Sequence, residues 1–285
     1  MKLAGAFAVV TGSSSGIGEA TAKALALKGA RVALIARTRP ELERVSGEIG
    51  AGNGTALVYD VDLANAQAAT RAAEAILREQ GCPDILVNNA GAGRWLYTDE
   101  TGPDEAVAMM AMPYFGAFYL TRAFLPCMLA RRSGTIVNVT SPASFSAWPG
   151  ATGYTAARWA MRGFTQALRA DLGGTGVRVM LAVAGEVSSE YWTHNPGAAQ
   201  RLPRLGSIFP KLGPDDVGTA IASGLERDRA NVIVPMQLRI GLALNSLWQW
   251  PMERLLIATG HRRTTDVPSA AQRPQPGPGG PPSQM

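Results

Sequence analysis

Short apolar runs rich in β-branched residues alternate along the chain with longer stretches in which apolar positions recur every three or four residues. The runs Phe7–Thr11, Arg31–Ala36, Thr55–Tyr59, Asp84–Asn88, Gly134–Thr140, Val177–Val183 and Asn231–Val234 predict seven strands. Helical spacing predicts helices over Gly16–Lys28, Pro40–Ile49, Asn65–Gln80, Asp104–Arg131, Gly153–Leu172 and Pro214–Glu226. A strand buried on both faces reads as a continuous apolar run. The pattern therefore predicts an α/β fold, a single doubly wound parallel sheet with helices on both faces. At 285 residues and 46% apolar, the chain is long enough to bury one large core, and residues 1–263 are expected to form one domain.

Three stretches depart from this rhythm. Residues 185–213 carry Gly, Pro and bulky side chains (Tyr191, Trp192, Pro196, Phe209) without a clear period. Irregular segments beyond strand ends are where substrates are held, so a substrate loop is expected there. Leu238–Ile257 is apolar, carries Trp248, Trp250 and Met252, and is flanked by Arg239, Arg254, Arg262 and Arg263. Pro251 predicts its division into two short helices. Three roles stay open: a lid over the substrate pocket (238–260), an interface with a partner subunit, or peripheral contact of 238–263 with a membrane surface. Residues 264–285 are rich in Pro, Gly, Ser and Gln and are expected to be disordered. Trp148, Tyr191, Trp192 and Phe209 together with the apolar segment point to a bulky hydrophobic substrate.

Composition narrows the classes. The net charge of +5 is nearly all arginine, with no long basic run, so no nucleic-acid partner is expected. Two cysteines, Cys82 and Cys127, lack CxxC spacing, and only His194 and His261 supply imidazole. Neither a disulfide framework nor a metal site is expected. The apolar stretch Leu3–Val10 runs straight into Thr11-Gly12 and is read as the first strand, not as a signal peptide. No apolar run is long enough to span a bilayer, and a cytoplasmic location, with possible contact at a membrane periphery, is expected.

Thr11-Gly12-Ser13-Ser14-Ser15-Gly16-Ile17-Gly18 links the first strand to the first helix. Glycines permit a sharp turn and close approach to a phosphate, and the helix start offers free N–H groups. On the first strand of a βαβ unit, this reads as a Rossmann-type dinucleotide turn contacted through Gly12, Ser14, Ser15, Gly16, Ile17 and Gly18. The same residues satisfy Gly-x-Ser-x-Gly, so a serine hydrolase is a remote alternative. It lacks an earlier strand for an oxyanion loop. After the second strand comes Arg37, with no acid before Glu41. A 2′-phosphate wants Arg where a free ribose wants an acid, so NADP(H) is preferred over NAD(H).

With Asp60-Val61 after the third strand, Asn88-Asn89-Ala90-Gly91 after the fourth, Ser141 after the fifth and Tyr154 thirteen positions later, the chain resembles the short-chain dehydrogenase/reductase family over about residues 5–235. The resemblance implies an oxidoreductase moving hydride between the nicotinamide cofactor and a carbonyl or alcohol. It implies adenine contacts from Asp60 and Val61, and a cofactor-lining turn from Asn88, Ala90 and Gly91. A nicotinamide-side loop would run from Gly185 to Val187, after Ala184 where the family usually has Pro. Ser141 would bind the substrate oxygen and Tyr154 would exchange a proton with it. The helices at 104–131 and 153–172 would form a homodimer or homotetramer.

Two positions differ from the family. Arg158 replaces its Lys, which both activates the tyrosine and holds the ribose. A phenol titrates near ~10, and a cation one helical turn away favours its ionised form. Arg158, at i+4 from Tyr154, keeps that charge but cannot pass a proton. Pro113 replaces an Asn thought to kink the helix and hold a relay water; proline supplies a kink but no amide. The rival reading is a catalytically weak or inactive NADP(H)-binding sensor or partner protein.

Overall fold

The computed structural model describes residues 1–91, 93–189, 191–195 and 197–262. The tail expected to be disordered, together with Pro196 and Arg263, lies outside the described residues. In chain order the main elements are β1 (Phe7–Thr11), α1 (Gly16–Leu27), β2 (Arg31–Ala36), α2 (Arg39–Ala51), β3 (Thr55–Asp60), α3 (Ala66–Gln80) and β4 (Ile85–Asn88). There follow α4 (Pro103–Met110), α5 (Gly116–Arg131), β5 (Gly134–Thr140), α6 (Thr152–Asp171), β6 (Val177–Ala184), α7 (Tyr191–His194), α8 (Pro214–Glu226), β7 (Asn231–Val234), α9 (Met236–Leu247) and α10 (Gln249–Thr259). Among the described residues the strands form one seven-stranded sheet in the order β3-β2-β1-β4-β5-β6-β7, every pair parallel.

The sheet is filled from both sides by strict alternation. On β1, Ala8 and Val10 join one core cluster while Phe7 and Val9 join the other; on β2, Val32 and Leu34 oppose Ala33 and Ile35. The first cluster is closed by Leu25, Leu42 and Ile221 of α1, α2 and α8. The second is closed by Ile76, Phe124 and Leu168 of α3, α5 and α6. This two-sided burial is why the strands carry almost no polar positions. One exception is a buried amide–hydroxyl chain: Asn88 Nδ2 donates to Asn138 Oδ1 at 2.9 Å, and Asn138 Nδ2 donates to Thr165 Oγ1 at 3.0 Å. It ties β4 to β5 and α6.

Two expectations are corrected. The single helix expected over 104–131 is interrupted: Met112 leaves helical geometry (φ −130, ψ 113) inside the π-turn Ala111–Phe115, which contains Pro113. Proline has no N–H for the helical ladder, and its ring crowds the preceding turn. Cys82 and Cys127 are bridged, with Cα atoms 5.9 Å apart. Forty-five positions separate them, but the turn before β4 and the last turns of α5 meet at one end of the sheet, where both sulfurs pack against the same core cluster. The division near Pro251 holds: α9 ends at Leu247 and α10 begins at Gln249. No described helix is long and apolar enough to cross a membrane.

The approach of α8 to α1 needs glycine. A Cβ at Gly218 of α8 would lie 2.6 Å from the backbone carbon of Ala20 in α1. Gly218→Ala is expected to force the two helices apart and to cost about 1–3 kcal/mol, read as a lower denaturation midpoint in urea at an unchanged slope.

Candidate active site

The strand order reverses between β1 and β4, so their C-terminal turns diverge and open a crevice. A cleft of ≈ 1570 Å³ occupies this edge. Its floor is fixed by contact between the two turns. Gly12 has φ +64, and a Cβ there would stand 2.8 Å from Ala90 Cα. Asn89 Nδ2 donates to the carbonyls of Thr11 (3.0 Å) and Gly12 (3.3 Å), and Thr11 Oγ1 accepts from the N–H of Ala90 at 2.9 Å. The first turn of α1 lies so close beneath that a Cβ at Gly18 would come within 2.0 Å of the Gly12 carbonyl. Ser15, at the N-cap of α1, is extended and makes no side-chain cap. The helix start is therefore left with free N–H groups on the cleft wall beside Ser14, Gly16 and Ile17. This cradle fits a pyrophosphate.

Beyond β2, Arg37 is exposed on the cleft with no ion pair among the described residues. Its neighbours are all engaged. Arg39 is held by Glu43 and Asp60, both at 2.8 Å. Glu41, on the cleft wall, is bound by Arg44 at 2.9 Å, and Arg44 also reaches Glu19 and Glu48 at 2.8 Å and the Ser14 carbonyl at 3.2 Å. Burial pushes the Glu19 carboxyl up, but hydrogen bonds from Arg44 and Lys23 outweigh it and hold the group below the usual carboxylate range. Glu19, Glu41 and Glu48 are thus neutralised by Arg44, and Arg37 is left without an ion pair among the described residues on a wall that also carries Asp62.

At the other end, β5 runs into Ser141, whose Oγ accepts from the Ala143 N–H at 3.2 Å and starts a short 3-10 turn. Tyr154 sits in the first turn of α6 and Arg158 one turn on; both line the cleft and are only 7% and 8% exposed. The Arg158 guanidinium lies 4.8 Å from the Tyr154 ring centroid, over its face. A Cβ at Gly91 would come 3.0 and 3.1 Å from its terminal nitrogens, so the guanidinium packs closely on the turn after β4. Arg158 Nε is buried without a hydrogen-bond partner among the described residues. The Tyr154 hydroxyl makes no hydrogen bond among the described residues.

Aromatic side chains wall this end. Trp95 packs on Tyr154 at 5.4 Å, on Trp148 at 5.3 Å and on Trp192 at 5.8 Å. Its Nε1 donates to the Tyr191 hydroxyl (2.9 Å), which donates to the Gly93 carbonyl (2.7 Å). Burial, then the neighbouring Tyr154, drives the Tyr191 phenol well above its ordinary value. Leu238, Leu242, Met252 and Leu256 of α9 and α10 close the cleft from the side.

Most expected site residues meet here: Gly12, Ser14, Ser15, Gly16, Ile17, Arg37, Val61, Ala90, Gly91, Ser141, Tyr154, Arg158, Gly185 and Val187 all line the one cleft. Three do not. Gly18 lies beneath the turn, Asn88 is buried in the amide chain, and Asp60 turns out to Arg39, leaving Asp62 on the wall. Sequence reasoning missed Trp95 and Arg44. Trp95 had a usable signal, as a large aromatic four residues beyond Gly91 in the loop after a strand end. Arg44, in mid-helix, had none.

A family model described as short chain dehydrogenase matches residues 6–198. A dehydrogenase/reductase SDR family protein 7-like of Anopheles gambiae is 30% identical over 88% of this chain and 83% of its own length. D-threitol dehydrogenase of Mycolicibacterium smegmatis is 35% identical over 81% of this chain and 90% of its own. A metagenomic short-chain oxidoreductase solved in complex with NADP superposes with a TM-score of 0.69 at 32% identity, covering 82% of this chain and 98% of that one.

Tyr191→Phe orphans the Trp95 N–H and the Gly93 carbonyl and is expected to cost about 1–3 kcal/mol. The raised phenol also sets a pH sign. Stability from Tyr191 is full below the ordinary tyrosine range and falls as pH rises through and above it, because the unfolded chain then releases a proton that the folded chain keeps. Denaturation midpoints should therefore decline more steeply at alkaline pH in the parent than in the variant.

Proposed function

The chain belongs to the short-chain dehydrogenase family, and on that premise we propose that it transfers hydride between NADP(H) and a carbonyl or alcohol of bulky, hydrophobic character. The observation that carries this reading is the placement of Tyr154, with its hydroxyl unengaged, Ser141 and Arg158 on the same cleft as the Gly12–Ile17 phosphate cradle. The nicotinamide, when bound, supplies or takes the hydride. Ser141 orients the substrate oxygen, and Tyr154 exchanges its phenolic proton with that oxygen. Arg158, stacked on the ring, places a permanent positive charge where negative charge develops during the exchange. As a guanidinium it passes no proton itself, so the proton behind Tyr154 must move by solvent.

The cofactor preference rests on Arg37. It faces the adenosine end without a carboxylate partner among the described residues, whereas Glu41 is held by Arg44 and Asp60 by Arg39. A ribose 2′-phosphate would meet a cation there, with Glu41 and Asp60 already paired. The size and lining of the opposite end, with Trp95, Trp148 and Trp192 against Leu242 and Met252, support a large apolar substrate. Exposed Phe118 and Trp159 on α5 and α6 support a homo-oligomer joined through those helices.

The non-catalytic alternative is set against this by the family membership and by the joint retention of Ser141 and Tyr154. The hydrolase alternative needs an imidazole beside the Gly12–Gly16 turn, and His261 does not line the cleft that holds it.

Turnover of a ketone and alcohol panel with NADPH, measured beside NADPH binding, tests the reading. Tyr154→Phe should lower kcat by about 10²–10⁴-fold and leave NADPH affinity nearly intact. Tight binding without turnover of any substrate would instead establish the sensor. Arg37→Gln is expected to raise KM for NADPH by about tenfold or more, the loss of one charge-assisted contact, and to leave KM for NADH within about twofold.

A further inference from the structure

The helices that close the cleft present a second face to solvent. On α9, Leu238, Leu242 and Asn245 turn inward, and Asn245 Nδ2 fastens the helix to the Phe145 carbonyl at 3.2 Å. Met236, Ile240 and Leu247, in line on the opposite face, and the tryptophans Trp248 and Trp250 beyond them are between 60% and 74% exposed. An ordinary surface helix puts polar residues there. A continuous row of large apolar side chains marks a contact surface. The charges along it are predominantly positive: Arg239, Arg254 and Arg262 against the single acid Glu253 over residues 236–262. The Arg254 guanidinium lies over the Trp250 ring at 3.9 Å, which keeps a cation at the edge of the apolar row.

We propose that α9 and α10 seat this protein on an anionic lipid surface, with Ile240, Leu247, Trp248 and Trp250 in the headgroup–acyl boundary and the arginines on the headgroups, so that an apolar substrate passes from the lipid into the cleft that the same helices border. Apolar side chains, interfacial tryptophan and flanking arginine are the combination such a surface recognises. A second copy of the chain is a poorer occupant: a two-fold interface on this face would bring Arg239 and Arg254 near their own counterparts with one acid per chain to offset them. The docking step stands on the surface alone; the delivery step rests on the hydrophobic-substrate reading above.

Co-sedimentation of the full chain with vesicles tests it. The protein should partition onto phosphatidylcholine vesicles containing phosphatidylserine, more weakly onto phosphatidylcholine alone, and less as salt is raised. The triple variant Ile240→Gln, Leu247→Gln, Trp248→Ser, whose positions do not line the cleft, should partition about tenfold less or worse. Its thermal midpoint and NADPH affinity should match the parent. Arg239→Glu, an independent surface change, should weaken binding only to the anionic vesicles. The proposal is overturned if the parent ignores both vesicle types, if the folded triple variant binds as well as the parent, or if light scattering shows the triple variant losing subunits, which would make the face a subunit interface. Vesicle binding is read without turnover, so an enzyme inactive on every carbonyl tested would leave this result standing by itself.

Discussion

The Asn89 amide holds the carbonyls of Thr11 and Gly12 at 3.0 and 3.3 Å, and this contact joins the two turns that leave the sheet in opposite directions. The floor of the cleft takes its position from it. Gly12 touches Ala90 with no room for a side chain, and Gly18 stacks directly under the Gly12 carbonyl. The start of α1 is thereby set against the floor with its N–H groups open. Two residues further along the second turn, Gly91 makes way for the Arg158 guanidinium. One short polar contact thus places the Gly12–Ile17 cradle and the Arg158 guanidinium on the same wall.

Arg158 shows how a change of cation is absorbed. A lysine ammonium is a compact charge on a flexible stem; a guanidinium is a plane that stacks. Here the plane lies over Tyr154, with Trp95 packed on that ring as well, so the phenol is held by rings and charge together. Nε pays for this by being buried with no partner among the described residues. At Pro113 the second departure is mainly one of shape. The helix breaks where a proline must break it, and Met112 is turned onto the cleft wall.

Much of the architecture was legible in short-range pattern. Seven continuous apolar runs became seven parallel strands, because a sheet covered on both faces has no polar face to interrupt them. The glycine turn, Asn88 to Gly91 and Ser141 could be placed because each stands at or directly after a strand end, and in a parallel sheet all those ends face one edge; Tyr154 was placed by its spacing from Ser141. Where reasoning from spacing failed, the deciding partner was remote in sequence. Asp60 stands at a motif position but is drawn outward by Arg39, twenty-one residues earlier. Cys82 and Cys127 carried no spacing signal, because only the packing of α5 beside β4 brings them together.

By itself, then, the chain determined the strand and helix pattern, the glycine turn and the Tyr154–Arg158 pair, since each depends on residues within one or two turns of their neighbours. The tertiary structure decided which charges are free and which surfaces are covered. Arg37 and Arg39 stand two residues apart, yet one faces the cleft and the other is tied to Glu43 and Asp60. Leu242 and Leu247 are equally apolar, yet one lines the cleft and the other faces solvent. Local sequence encodes backbone preference and periodicity, whereas ion pairing and burial depend on distances set only when all the elements have packed.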